Sequence, residues 1–285
     1  MIRRIGLAVL TVGMTLAGFA SGTASAAPEC ADFHWIGAAG SGQRDAAGLT
    51  ANGGMGGVVY QSYLQLRSDL AASGRTIDAE AVQYPAAPVP VEGGLGGWMG
   101  FMDSVKAGTD ATAQQYETFT QRCPNTKVVL AGYSQGAMVI HRNLHDLADD
   151  PHVAAALLIA DGDRLPVDNT INMGSTASGS TVSGPSALPG KGVAQEHSFL
   201  ASAPTAKLPP EIGARTLSVC DVGDPVCDYD AKADSGTPSP AAIAIHTSYA
   251  PAASGGHAWG APLYYLVTYA SSAPTSATEL SAYGA

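Results

Sequence analysis

Residues Thr126 to Gly136 read TKVVLAGYSQG: an apolar run that stops at a glycine, a tyrosine, a serine and a second glycine. The run has the length of a buried strand, and QGAMVIHRNLHDLA, from Gln135 to Ala148, has helical periodicity. A strand that turns sharply into a helix exposes a serine hydroxyl at the turn, where only small neighbours fit, so GYSQG nominates Ser134 as a nucleophile. With 34 glycines in 285 residues the GxSxG pattern is weak by itself. Its weight depends on what surrounds it.

The same alternation runs outward from this stretch. DFHWIGA (32–38) reads as a strand, VVYQSYLQLRSDLAAS (58–73) as a helix, IDAEAVQYP (77–85) as a strand, and 102–122 contains a helix. VAAALLIA (153–160) and ARTLSVC (214–220) follow as strands, and a last helix follows His257. Strands and helices in alternation predict a parallel sheet covered on both faces, with right-handed crossovers. Between Asp161 and Gly213 the pattern stops, and GSTASGSTVSGPSALPGKG (174–192) reads as part of a long surface insertion. GGMGGVV and GGLGGWMG match no nucleotide-binding pattern.

The first 26 residues predict a secretory signal: Arg3 and Arg4, an apolar stretch, then Ala24-Ser25-Ala26 as a cleavage site. The arginine pair leaves the export route open. Removing 26 of 285 residues leaves 259 for a single α/β domain, 27–285. The leader carries two arginines and no acids, so a formal charge of −10 becomes −12. That charge argues against nucleic-acid phosphates and anionic lipid as partners. No integral membrane span is expected beyond the leader, and the chain is expected to act as a monomer. Four cysteines in an exported chain imply two disulfides rather than metal ligands, with three connectivities open.

Cys123 lies 11 residues before Ser134, and Cys30 lies 11 before Ser41. If both spans are neighbouring parallel strands with their turns, a Cys30–Cys123 bond would tie their starting ends, and the two serines would emerge together at the carboxyl edge. The loop after the first strand is where a serine hydrolase carries its second oxyanion donor, which nominates Ser41; the helix N-terminus offers the amide of Gln135 as the first. CDVGDPVC places Asp224 in a loop between Cys220 and Cys227. Such a staple suits a carboxylate that must orient a histidine, and Asp221, Asp228 and Asp230 read as solvated. Of seven histidines only His246 and His257 follow Asp224, as the order Ser, Asp, His requires; His246, after a short apolar run and before Tyr249, is the preferred base over His257 in its Gly-rich stretch. His141 and His145, four apart, lack the glutamate of a zinc motif and are read as exposed, as are His34, His152 and His197.

GYSQGA, CDVGDPVC, the HTSY at His246 and the two cysteines ahead of their serines together resemble the cutinase family of secreted serine esterases. The resemblance implies a compact α/β-hydrolase fold, a three-layer sandwich on a central parallel sheet. It implies a triad of Ser134, Asp224 and His246, an oxyanion hole from Ser41 and Gln135, and disulfides Cys30–Cys123 and Cys220–Cys227. The implied chemistry is hydrolysis of fatty-acyl or polyester-type carboxylic esters through an acyl-enzyme, with no metal and no cofactor. Lipase, phospholipase or acyltransferase activity on the same triad, and a catalytically silent surface protein, are the alternatives. Ala39-Gly40 stands where the family has Arg-Gly. The insertion at 161–213 and the 19-residue step from Cys227 to His246 exceed those of compact fungal cutinases and could form a lid.

Overall fold

A computed structural model describes residues 30–90, 94–178, 190–197, 199–201, 206–232, 237–252 and 256–269. The signal at 1–26, parts of the insertion (179–189, 198 and 202–205) and the last residues lie outside this range. Six parallel strands form one sheet: β1 (Phe33–Ala38), β2 (Ile77–Ala81), β3 (Lys127–Tyr133), β4 (Val153–Ile159), β5 (Ile171–Met173) and β6 (Thr216–Val219), in the spatial order β2-β1-β3-β4-β6-β5. The helices are α1 (Ala46–Ala51), α2 (Gly57–Ala72), α3 (Gly94–Arg122), α4 (Gln135–Leu144), α5 (Ser175–Ser178), α6 (Pro210–Gly213), α7 (Pro240–His246) and α8 (Gly260–Tyr269). Among the described residues no helix is long and apolar enough to cross a membrane.

The period of two in the strands sorts the core into two layers. Phe33, Trp35, Val129, Ala131, Leu157 and Ile159 face α2 and α8, where Val59, Leu66, Leu70, Leu263 and Leu266 meet them. Ile36, Val128, Leu130, Ala156 and Leu158 face the other way, against Val105 and Phe119 of α3 and Val139, Ile140 and Leu144 of α4. Strands buried on both faces need apolar residues at every position, which is why β3 and β4 are uninterrupted apolar runs.

Three expectations change. The segment 161–213 is not patternless surface: it contains the edge strand β5, paired with β6 from Ile171↔Leu217 to Met173↔Val219. A three-residue strand carries too little periodicity to read, and its anchors are polar. Buried Arg164 donates to Ser218 Oγ at 3.2 Å, Gly190 O at 2.9 Å and Asn172 Oδ1 at 2.9 Å. The strand over 77–85 ends at Ala81, and the helix expected within 102–122 begins at Gly94.

None of the five histidines read as exposed is so. His34 is buried against Phe119, with ring centroids 3.6 Å apart, and bonds to Asp78 and Glu80. His141 is buried with Nδ1 2.6 Å from Asp161 Oδ2, while neighbouring Arg142 bonds Asp163 at 2.7 Å. In each case a carboxylate from another element supplies the partner that makes burial tolerable. Among the described residues no cluster of three or more His, Cys, Asp or Glu side chains is placed to hold a metal ion.

Candidate active site

The register of β1 against β3 pairs Ala38 with Gly132, so Ser41 and Ser134 leave the sheet at the same carboxyl edge. The disulfide Cys30–Cys123, Cα atoms 5.8 Å apart, joins the approaches to the same two strands. The chain then turns sharply: Ser134 has φ 55° and ψ −118°, a left-handed conformation costly for a side-chain residue. Its amide donates to Ile159 O at 2.9 Å and its carbonyl accepts from Ala137 N at 2.9 Å, which hold it there. Both glycines of the motif are required by space. A Cβ on Gly132 would collide with the carbonyl of Gly136, and one on Gly136 with the carbonyls of Ala38 and Ala39.

His246, the last residue of α7, sits with Nε2 3.1 Å from Ser134 Oγ. Its Nδ1 lies 2.9 Å from Asp224 Oδ2 and 3.1 Å from Oδ1. Asp224 is 0% exposed and His246 17%. Asp224 Oδ1 also accepts the amides of Val226, at 2.7 Å, and Cys227, at 3.2 Å. The Cys220–Cys227 disulfide closes that loop, Cα atoms 6.0 Å apart. Sequence spacing thus nominated three side chains from three distant segments that the fold brings into one hydrogen-bonded row.

Gln135 begins α4, so its amide has no acceptor within the helix. Its buried side chain is fixed by Ser104 Oγ, 3.3 Å from Oε1, and by Ala87 O, 3.2 Å from Nε2. The hydroxyl of Ser41 is buried and makes no hydrogen bond within the described residues. His257 is not at Ser134; its Nε2 bonds Asp221. Asp221 is therefore not solvated as expected. Burial alone would raise it, but the Ser175 amide and the His257 ring hold it below the usual carboxylate range. Asp228 is half-buried, with Oδ2 accepting Gly223 N at 2.7 Å, and burial pushes it up; Asp230 is exposed.

A cutinase family model matches residues 29–259. The chain belongs to the cutinase family. Cutinase cut1 of Trichoderma harzianum is 37% identical over 124 residues, 42% of this chain and 46% of that protein. Carboxylesterase Culp1 of Mycobacterium tuberculosis is 32% identical over 163 residues, 56% of this chain and 65% of that protein. The matches thus span about half to two thirds of those relatives' length. An acetyl xylan esterase structure superposes with a TM-score of 0.51 at 22% identity, covering 84% of this chain and 98% of that one, a likeness of fold.

Two tyrosines of this cutinase-family chain, both within the motifs GYSQG and HTSY, have roles that the sequence alone does not assign. Tyr133, inside the GYSQG motif, stacks on His246 at 5.2 Å and donates its hydroxyl to the His246 carbonyl. Tyr249, three residues beyond the histidine, is buried beside Tyr133 and Cys227. Burial and then the Asp224 charge push both phenols up, so they stay neutral donors. Their positions beside Ser134 and His246 were the available signal. The exposed large apolar side chains include Leu49 on α1, Met99 on α3 and Ile243 on α7, together with Val89, Val167 and Val222, and Phe199 meets Trp98 near the start of α3.

Proposed function

We propose that this chain is an exported carboxylic ester hydrolase that works through an acyl-enzyme on Ser134. The observation that carries the reading is the row Ser134–His246–Asp224, with the acid fully buried. Carboxylate oxygens only accept, so Asp224 keeps the proton on His246 Nδ1 and leaves the Nε2 lone pair facing Ser134 Oγ. As Oγ attacks the ester carbonyl, Nε2 takes its proton, and the imidazolium is held by Asp224. The proton then passes to the departing alcohol, and water, deprotonated by the same nitrogen, releases the acid. The negative oxygen of each tetrahedral intermediate would be met by the Gln135 amide at the start of α4 and by the otherwise unsatisfied hydroxyl of Ser41.

Esters with apolar acyl chains, of the fatty-acyl or polyester type, are the substrates this reading favours, supported by exposed Val222 in the loop that carries Asp224 and exposed Ile243 on the helix that carries His246. Export is supported by the leader sequence and by two disulfides, which persist in oxidising compartments. The test is hydrolysis of p-nitrophenyl esters from acetate to palmitate by the mature protein. Ser134→Ala and His246→Ala should each lower turnover by at least about 10,000-fold. The optimum should fall on chains longer than acetate. A folded wild type that hydrolyses none of these esters and is not labelled by an organophosphonate would sink the reading in favour of a silent binding protein.

A further inference from the structure

A second histidine–aspartate pair, which takes no part in the chemistry above, fastens the segment bearing the base to the staple bearing the acid. Asp221 follows Cys220 inside the disulfide loop that carries Asp224. One of its oxygens bonds His257 Nε2. The other accepts the Ser175 amide at 2.8 Å and the Ser175 hydroxyl at 2.9 Å. The Asp221 amide donates to the Tyr249 hydroxyl at 2.8 Å. The His257 ring stacks on Tyr249 at 5.2 Å and on Trp259 at 5.5 Å, and its backbone amide donates to Ala250 O at 2.7 Å. Gly256 has no room for a Cβ against the Ala250 carbonyl, so the backbone at Gly256 and Ala250 meets closely. The stretch that begins at His246 is thus tied back to Asp221 twice, through Tyr249 and through His257.

We propose that Asp221 and His257 are positioning residues for the triad. His246 ends a seven-residue helix; Tyr133 at the end of β3 stacks on its ring and bonds its carbonyl, and the stretch beyond it is held by Asp221. The pair joins the two loops at a point away from Ser134 and sets how the imidazole meets Asp224, and through it the aim of Nε2. Catalytic groups must be held to within about 0.5 Å and 10–20°. Both members are mostly shielded from solvent, so the bond resists screening by salt. The inference rests on the esterase reading for its kinetic consequence, but its structural core stands apart from turnover.

His257→Phe keeps a flat ring between Tyr249 and Trp259 and removes the donor to Asp221; His257→Gln restores a donor. The phenylalanine variant should lose about 10- to 100-fold in kcat with KM within about twofold, because substrate contacts are untouched. The glutamine variant should recover most of that loss. In proton NMR, the downfield resonance of the His246 Nδ1 proton shared with Asp224 should shift or broaden in the phenylalanine variant and return in the glutamine variant. Asp221→Asn, which keeps the shape and weakens the pair, should move the same readouts in the same direction, with about a 3- to 10-fold loss in kcat.

Circular dichroism and melting of each variant identify those that are folded. An unchanged resonance and kcat in folded Asp221→Asn overturns the proposal, whether or not the phenylalanine variant folds. If the wild type hydrolyses no ester, the esterase reading fails by itself. The resonance then decides the proposal alone: moved in Asp221→Asn it supports the coupling, unmoved it overturns it.

Discussion

Raising the pH from 6 to 10 should destabilise the fold through one side chain, His141, behind the nucleophile on α4. Burial alone would pull its pKa down, but the Asp161 charge and its 2.6 Å hydrogen bond, with Asp163 and Asp168 nearby, push it up to about 9 from 6.5. The folded value therefore lies above the unfolded one. Below pH 6.5 both states hold the proton and the stabilisation is fully present. Between 6.5 and 9 only the folded state holds it, so stability falls with rising pH by about 1.4 kcal/mol per unit, about 3 kcal/mol in all. Urea unfolding of wild type and His141→Gln across this range checks the expectation, since glutamine keeps a donor near Asp161 but does not titrate. The wild-type advantage should shrink by about 3 kcal/mol as pH rises, and high salt should leave most of the slope because the pair is buried. His145, stacked on His141 at 5.7 Å, is held low first by burial and then by the His141 charge, so it adds little charge of its own in this range. A difference between the two proteins that stays flat within about 0.5 kcal/mol would show that His141 is neutral in the folded protein and refute the reasoning.

Gly136→Ala should destabilise by about 3 kcal/mol or more and abolish esterase activity, because its Cβ meets backbone carbonyls that cannot rotate away; a folded, active variant would contradict the packing argument. The two disulfides should separate stability from turnover. Cys30→Ala/Cys123→Ala, opening a loop with a sequence separation of 93, should cost about 4 to 5 kcal/mol in unfolding experiments and leave kcat of the surviving fold nearly unchanged. Cys220→Ala/Cys227→Ala, with a separation of 7, should cost only about 2 to 3 kcal/mol but lower kcat severely, because Asp224 loses its rigid loop. Tyr133→Phe keeps the ring against His246 and removes one hydrogen bond to its carbonyl, so steady-state kinetics should show a loss of about 3- to 10-fold in kcat, and unfolding a loss of about 1 kcal/mol.

What the sequence determined by itself was everything set by local pattern. Short apolar runs bounded by turn residues read as strands buried on both faces, so β3 and β4 were legible, as was β1 with His34 in it, and the longer stretches between them read as crossover helices. A glycine-flanked serine at a strand-to-helix turn is a steric requirement, and the cysteine spacings of Ser41, Ser134 and Asp224 placed candidates on that frame. Ser239, which caps α7 ahead of Pro240, is likewise a helix-start signal carried by the local sequence. The tertiary structure alone decided what depends on a partner distant in sequence. His141 can be buried because Asp161 reaches it from the end of β4, His257 is held by Asp221 rather than Ser134, and β5 exists because Arg164 and β6 supply the bonds that its three residues lack. Burial of a polar group is favourable only when its counterpart arrives, and no local pattern records which counterpart the fold will bring.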